Sequence, residues 1–290
     1  LKAYLDCYPC FLRQALDAAR MATDDAATHL RILQGVASLI AELPPETTPI
    51  EVGMETHRLI RELASCADPY RSVKRTSNDH ALFLLPGLRQ RVVESPDPLL
   101  AAVKLAAVGN VIDFGANPGF DLDRALEEGW AADLGGSDLP EFRRRVAQAR
   151  DILYIGDNAG EIVFDKLLVE QMVAGGARVT FVVRGGPVLN DATLEDASYV
   201  GMDELAEVVS SGVRSPGTIL RDAHPDFLDR FHRAELMLAK GQGNFEGLSD
   251  VAGPLFFLLK VKCPVIARHL GEELGALVLR ASTVDRNGRK

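Results

Sequence analysis

Through the first hundred residues, apolar positions recur at three- and four-residue spacing. They do so in CFLRQALDAARMA, AATHLRILQGVASLIAEL, PIEVGMETHRLIRELASC and SPDPLLAAVKLAAVGN. That spacing lays an apolar stripe along one face of a helix, so residues 1 to about 105 read as helices, divided by clusters of Pro, Gly and Asp. Pro9 suits the first turn of the opening helix. EFRRRVAQAR predicts a charged helix leading into the second half. From Asp151 the pattern changes. DILYIGD and ARVTFVVRGG are rich in β-branched and aromatic residues and stop at glycine, as strands do. Between them EIVFDKLLVEQMVAGG reads as an amphipathic helix closed by a glycine pair. AELMLAKGQGN and LFFLLKVKC supply two further strands. A strand–helix–strand unit followed by more strands predicts an α/β fold with a mostly parallel sheet covered by helices.

The 290 residues suffice for one large or two ordinary domains. At 47% hydrophobic and 25% charged, the composition is that of a globular protein. A net charge of −9 argues against nucleic acid or an anionic membrane as partner. Small anions stay admissible, because a metal or local basic residues can supply positive charge. No apolar run reaches the roughly 20 residues of a membrane span. The start, LKAYLDCYPC, lacks the apolar core of a secretory signal. The four cysteines, Cys7, Cys10, Cys66 and Cys263, are accordingly expected as reduced thiols in a cytoplasmic protein. Nothing in the pattern speaks to oligomeric state.

Ligands of open parallel sheets bind at the carboxyl ends of the strands. Three polar clusters fall there: Asp157-Asn158 after LYIG, Asn190-Asp191 in RGGPVLNDAT, and Lys240, Gly241 and Asn244 in KGQGN. Each alone is accounted for by a helix cap or an Asx turn. Together at one sheet edge they form a hard, oxygen-only ligand set suited to Mg²⁺ or Mn²⁺. Lys240 adds a charge suited to a phosphate oxygen, and the glycines allow backbone N–H groups to approach an anion.

Two other motifs compete. VIDFGANPG resembles the glycine motif of S-adenosylmethionine methyltransferases, but the preceding LAAVKLAAVGN reads as helix and the following RALEEGWAADLGG offers no strand. DLDRA at Asp121 resembles a dehalogenase-type phosphatase nucleophile, but it follows ANPGF and not a strand. CYPC has no second pair to complete a zinc site and no preceding strand to make it thioredoxin-like. The pair is expected to be structural or redox-sensitive, with Cys66 and Cys263 converging on it only if the chain termini fold back onto the helical domain.

The order of CYPCFLRQAL, DPYRSVKRTSNDHAL, AAVGNVIDFGA, GDNAGEIVFDK, PVLNDAT, SPGT and KGQGNFE along nearly the whole chain resembles the DUF89 family of damage-control phosphatases with an ARMT1-like domain. The CxxC-bearing start is similar to the microbial, stand-alone branch. The resemblance implies a helical domain with a connecting segment (1–148), a Rossmann-like α/β/α domain (149–282) and a flexible tail (283–290). It implies a phosphatase dependent on Mn²⁺, Co²⁺, Ni²⁺ or Mg²⁺, acting on small phosphorylated metabolites such as sugar phosphates or phosphorylated cofactor fragments. Its metal ligands fall on Asp157, Asn158 and Asp191, and its substrate-contacting lysine on Lys240. Asn110 and Asp113 are expected on the substrate side, with Gly217, Thr218, Gly241 and Asn244 as further contacts. Glu161 either orients the attacking water or caps its helix. Water activated at the metal is expected as nucleophile in preference to Asp157. A methyltransferase and a non-catalytic phosphometabolite-binding protein are the alternatives.

Overall fold

The computed structural model describes residues 1–109, 122–135 and 138–283. Among these residues the chain forms twelve α-helices and a seven-stranded sheet. α1 (Cys7–Ala22), α2 (Ala26–Ala41) and α3 (Pro49–Ala64) come first. The Asp25 carboxylate caps α2 by accepting from the N–H groups of Ala27 and Thr28. Thr48 and Glu51 form a reciprocal capping box ahead of Pro49. The inward faces of these helices meet in a small core that includes Ala15, Ala19, Ile32, Val36 and Ile60.

α4 (Arg71–Glu94) and α5 (Pro98–Gly109) belong to a different core, that of the sheet. The apolar spacing does not reveal α4. Its buried face carries Lys74, Ser77 and Asn78 among the apolar residues, so the stripe is broken where the helix meets the polar centre described below. α6 (Leu122–Ala131) and α7 (Leu139–Gln148) follow, the latter being the charged helix expected.

The strands are β1 (Leu134–Gly135), β2 (Asp151–Ile155), β3 (Arg178–Val183), β4 (Glu207–Ser210), β5 (Leu236–Lys240), β6 (Leu255–Lys260) and β7 (Leu277–Ala281). They lie in the order β1-β7-β6-β5-β2-β3-β4. Every neighbouring pair is parallel except β6 with β7. The four expected strands are β2, β3, β5 and β6. β1 falls in the stretch read as strand-free; two residues are too few to leave a pattern. β4, four residues long, is equally inconspicuous, and β7 is a further strand not expected from the pattern.

Alternate residues of the strands serve opposite faces. Ile152, Tyr154, Phe181 and Leu238 pack with α4, α5 and α8 (Glu161–Ala174). Leu153, Ile155, Val182 and Met237 pack with α10 (Pro225–Arg233), α11 (Gly241–Leu248) and α12 (Pro264–Leu270). Covering both faces explains why these strands read as continuous apolar runs. The α/β class with a mostly parallel sheet is thus as expected. One detail differs: α8 is not amphipathic. It is enclosed on every side and buries even Asp165 and Lys166. No helix among the described residues is long and apolar enough to cross a membrane.

His57 on α3 is buried, 3% exposed, with its ring 6.2 Å from that of Tyr70. Burial, then the Arg61 charge, push its pKa down from 6.5 to about 4. The unfolded chain therefore binds this proton near pH 6.5 and the folded chain only near pH 4. Stability is complete above that window and falls as pH drops through it, by up to about 3 kcal/mol for this group. Urea unfolding of wild type and His57→Phe at pH 7 and pH 4.5 checks this. The variant should lose about 2 kcal/mol less than wild type between the two pH values, and equal losses would contradict the assignment.

Candidate active site at the sheet switch point

β2 is flanked by β3 on one side and β5 on the other, so the chain leaves it in opposite directions and a crevice opens at the carboxyl ends. β2 runs out into Gly156, whose N–H donates to Val182 O at 2.9 Å. A Cβ at 156 would stand 2.8 Å from the Phe181 ring, which is why glycine is required there. Asp191 arrives on the loop after β3. That loop is bound to the Asp157 turn through its backbone: Ala192 N–H donates to Asp157 O at 2.8 Å and Ala159 N–H to Asn190 O at 2.8 Å. Asn158 and Asp191 pair as an isolated antiparallel bridge. The two acidic turns are therefore fixed to each other before any side chain is considered.

Arg184, at the end of β3, lies between them. Its guanidinium donates from Nε to Asp191 Oδ2 at 2.6 Å, from Nη2 to Asp157 Oδ1 at 2.9 Å and from Nη1 to Asn244 Oδ1 at 2.9 Å. Asn244 also accepts from Thr218 Oγ1 at 2.9 Å and donates to Gly156 O and Lys240 O. Burial opposes the charge of Arg184, but Asp191 and Asp157 outweigh it and hold the pKa above its ordinary value. Burial, then Asp191 and Glu161, push Asp157 up. Burial also raises Asp191, against the pull of Arg184. Sequence reasoning passed over Arg184. The available signal was an arginine directly following VTFVV, at the strand end that also supplies Asp191.

Lys240 needs a correction. Expected to touch a phosphate oxygen, it is 0% exposed and donates to Glu161 Oε1 at 2.6 Å, to Ala106 O at 2.9 Å and to Asp165 Oδ1. An ammonium has three donors, and all three are committed. Tyr154 Oη also donates to Asp165 Oδ1, at 2.7 Å, while Asp165 Oδ2 is buried with no hydrogen-bond partner among the described residues. Lys240 thus fixes Glu161, whose Oε2 accepts from Asn158 Nδ2 at 3.2 Å. Glu161 belongs to the same polar centre as Asp157.

Other expected contacts are also packed against the protein itself. Gly217 is packed so closely that a Cβ would stand 2.3 Å from Gly243 O, and Thr218 is spent on Asn244. Gly241 starts α11 with φ of +78°. Gly160, with φ of +80°, lies against Ser77 of α4, and its N–H donates to Asn78 Oδ1 at 2.6 Å. Asn78 Nδ2 in turn donates to Asp196 Oδ1, and Asp196 and Asp68 both pair with Lys74. The DPYRSVKRTSNDHAL motif therefore braces the Asp157 turn from the helical layer. Asn110 and Asp113 lie outside the described residues, as do VIDFGANPG, Asp121 and residues 284–290. The helix α5, and not a strand, leads into VIDFGANPG, which removes the setting a methyltransferase motif needs. Cys7 and Cys10 open α1, and Cys263, capping α12, comes within electrostatic reach of both; burial foremost raises both thiol pKa values. Cys66 lies past the far end of α3.

Among the described residues, no three His, Cys, Asp or Glu side chains are grouped to hold a metal ion. The hard donors here are two carboxylates and an amide. The electrostatics nevertheless suit a divalent cation. Among the described residues, Asp157, Glu161, Asp165 and Asp191 are buried and the buried cations bonded to them are Arg184 and Lys240, so carboxyl groups outnumber these cations by two. Asn158 points its amide nitrogen at Asp157 Oδ2 and Glu161, so half a turn of the amide would bring Oδ1 there instead.

Comparison with known proteins agrees with this architecture. A damage-control phosphatase of Pyrococcus horikoshii is 35% identical over 283 residues, covering 96% of this chain and 97% of its own. One from Archaeoglobus fulgidus is 32% identical over 287 residues, covering 94% and 97%. An uncharacterized protein of Methanocaldococcus jannaschii is 34% identical over 287 residues, covering 94% and 93%. The crystal structure of a DUF89 family protein from P. horikoshii superposes with a TM-score of 0.91 at 33% identity, over 98% of this chain and 100% of that one. The family described as damage-control phosphatase ARMT1-like domain matches residues 3–278, and the chain belongs to it.

Proposed function

We propose that this protein is a metal-dependent phosphomonoester hydrolase. It acts on small phosphorylated metabolites, such as sugar phosphates or phosphorylated cofactor fragments, in metabolite damage control. The relatives named as damage-control phosphatases support the reaction class. The observation that carries the metal is the buried pair Asp157 and Asp191, locked together at the switch point in a network with more carboxylates than cations. Asp157, Asn158 and Asp191 would hold Mn²⁺, Co²⁺, Ni²⁺ or Mg²⁺. An ion held there supplies positive charge to a phosphoryl group and makes water more acidic.

The chain's own residues do the rest. Arg184 keeps the two aspartates at a fixed separation with a planar fork and balances part of their charge. Glu161, in the first turn of α8 and clamped by Lys240, stands ready to orient water and hold its proton. The amino end of the fourteen-residue α8 faces the same centre and favours an anion there. Arg184 engages one oxygen of Asp157 and the ion would take the other, which speaks against an aspartyl-phosphate.

Asp191→Asn preserves size and an acceptor for Arg184 while removing one charge. It should lower bound Mn²⁺ at least about 100-fold in affinity and kcat/KM for phosphate release about 10³-fold, with the fold kept. Metal analysis and phosphate release read both quantities. Wild-type values for both would refute the assignment.

Lys240→Met leaves Glu161 and Asp165 buried without their cation. It should cost about 3–5 kcal/mol of stability and lower kcat while KM stays within about threefold, since the side chain holds Glu161 and not the phosphate. A variant of native stability with a greatly raised KM would instead return Lys240 to a phosphate contact.

A further inference from the structure

The loop that carries Asp191 is gripped by two arginines that the reaction as described does not use. Arg61, in the last turn of α3, donates from Nη1 to Pro187 O at 3.0 Å. Arg214, on the loop after β4, lies over the neighbouring Gly186; a Cβ there would stand 2.5 Å from Arg214 Nε. The arginine thus fills the space that a side chain at 186 would take. Gly185 N–H donates to Val213 O at 2.8 Å, which ties the two loops together at the carboxyl edge of the sheet, beside the proposed metal centre. Arg61 is half-buried and Arg214 exposed.

Among the described residues, the acids that act on Arg61 are Glu62 and Asp68, and both are bonded to other cations. Glu62 is taken by Arg58 through both oxygens, at 2.8 and 2.9 Å. Asp68 is taken by Lys74 at 2.9 Å and by the Tyr70 N–H at 3.1 Å. Burial, and then the charge of Arg214, push the Arg61 guanidinium below its ordinary value, so the two cations repel. Two guanidiniums on one loop with no carboxylate bonded to both among the described residues are stabilised by an anion that both can reach.

We propose that Arg61 and Arg214 form a second anion subsite, so that favoured substrates carry a further phosphate or carboxylate besides the phosphate removed. This rests on the phosphatase reading above. Arg61 and Arg214 would act as specificity determinants and take no part in breaking the P–O bond. A purely structural clamp on the loop would affect all substrates alike, whereas a subsite alters the ratio between them.

The test uses Mn²⁺-loaded full-length protein with α,ω-alkanediol monophosphates of three to six carbons, their bisphosphates, and ω-phosphooxy carboxylates of the same lengths. In wild type, the ratio of kcat/KM for the doubly anionic probe to that for the monophosphate should reach at least about tenfold at one chain length. The bisphosphate and carboxylate arms decide which anion is preferred. In Arg61→Gln/Arg214→Gln the ratio should fall to within twofold of one, and Arg61→Lys should retain part of it. If Arg61 variants fail to fold, Arg214→Gln and Arg214→Glu carry the test, and Arg214→Glu should take the ratio below that of Arg214→Gln. A wild-type ratio near one at every length, or a ratio that survives replacement, would overturn the subsite. Calorimetric affinities for the same probes read the ratio without turnover. Absence of phosphate release from every probe would sink the phosphatase reading, while a tenfold affinity ratio lost in the variants would still uphold the subsite.

Discussion

Arg184 is the residue on which this centre depends. A guanidinium buried at the end of a central strand must be met by carboxylates, and two are provided by loops from adjacent strands, Asp157 after β2 and Asp191 after β3. Removing either partner of such a buried pair costs about 3–5 kcal/mol, so the geometry of the two turns and the stability of the sheet edge are linked. A second buried cation, Lys240, performs the same service one strand away for Glu161 and Asp165. Among the described residues the network holds two more carboxyl groups than buried cations, which is why we propose a divalent cation there.

The surrounding layers maintain this arrangement. α4 reaches the Asp157 turn through Asn78 and is itself anchored by Lys74 between Asp68 and Asp196. α11 contributes Asn244, which bonds to Arg184, Gly156 and Lys240 at once. Several glycines that invite a phosphate-binding interpretation serve close packing: Gly156 admits the Phe181 ring, Gly160 admits Ser77, and Gly217 admits the backbone at Gly243. Behind the polar centre, the enclosed α8 forms the middle of the larger apolar core and gives Glu161 a rigid mounting.

Much of this was legible in the chain. The change of period at Asp151 locates β2, the β-branched run VTFVV locates β3, and the apolar runs LMLA and LFFLL locate β5 and β6, because strands buried on both faces leave uniform apolar stretches. The Asp-Asn turn, Asp191 and Lys240 are recognisable as strand-end residues. What pattern could not supply was partnership. Lys240 reads as a phosphate ligand because nothing local announces that Glu161 and Asp165 will enclose it. Asn78 escapes notice for the same reason, its partners Gly160 and Asp196 being remote in sequence, and two of the three partners of Arg184, Asp157 and Asn244, are remote as well. α4 hides because its buried face is partly polar, and β1 and β4 because they are too short to show a period.

The account stands or falls on whether the buried charge excess is a cation site. Anomalous scattering at the manganese edge from crystals grown with Mn²⁺ addresses this most directly. It should show an ion bounded by Asp157, Asn158 and Asp191, with the Asn158 oxygen turned toward it. Manganese bound elsewhere in a protein that releases phosphate, with these three side chains left as they are without metal, would contradict it.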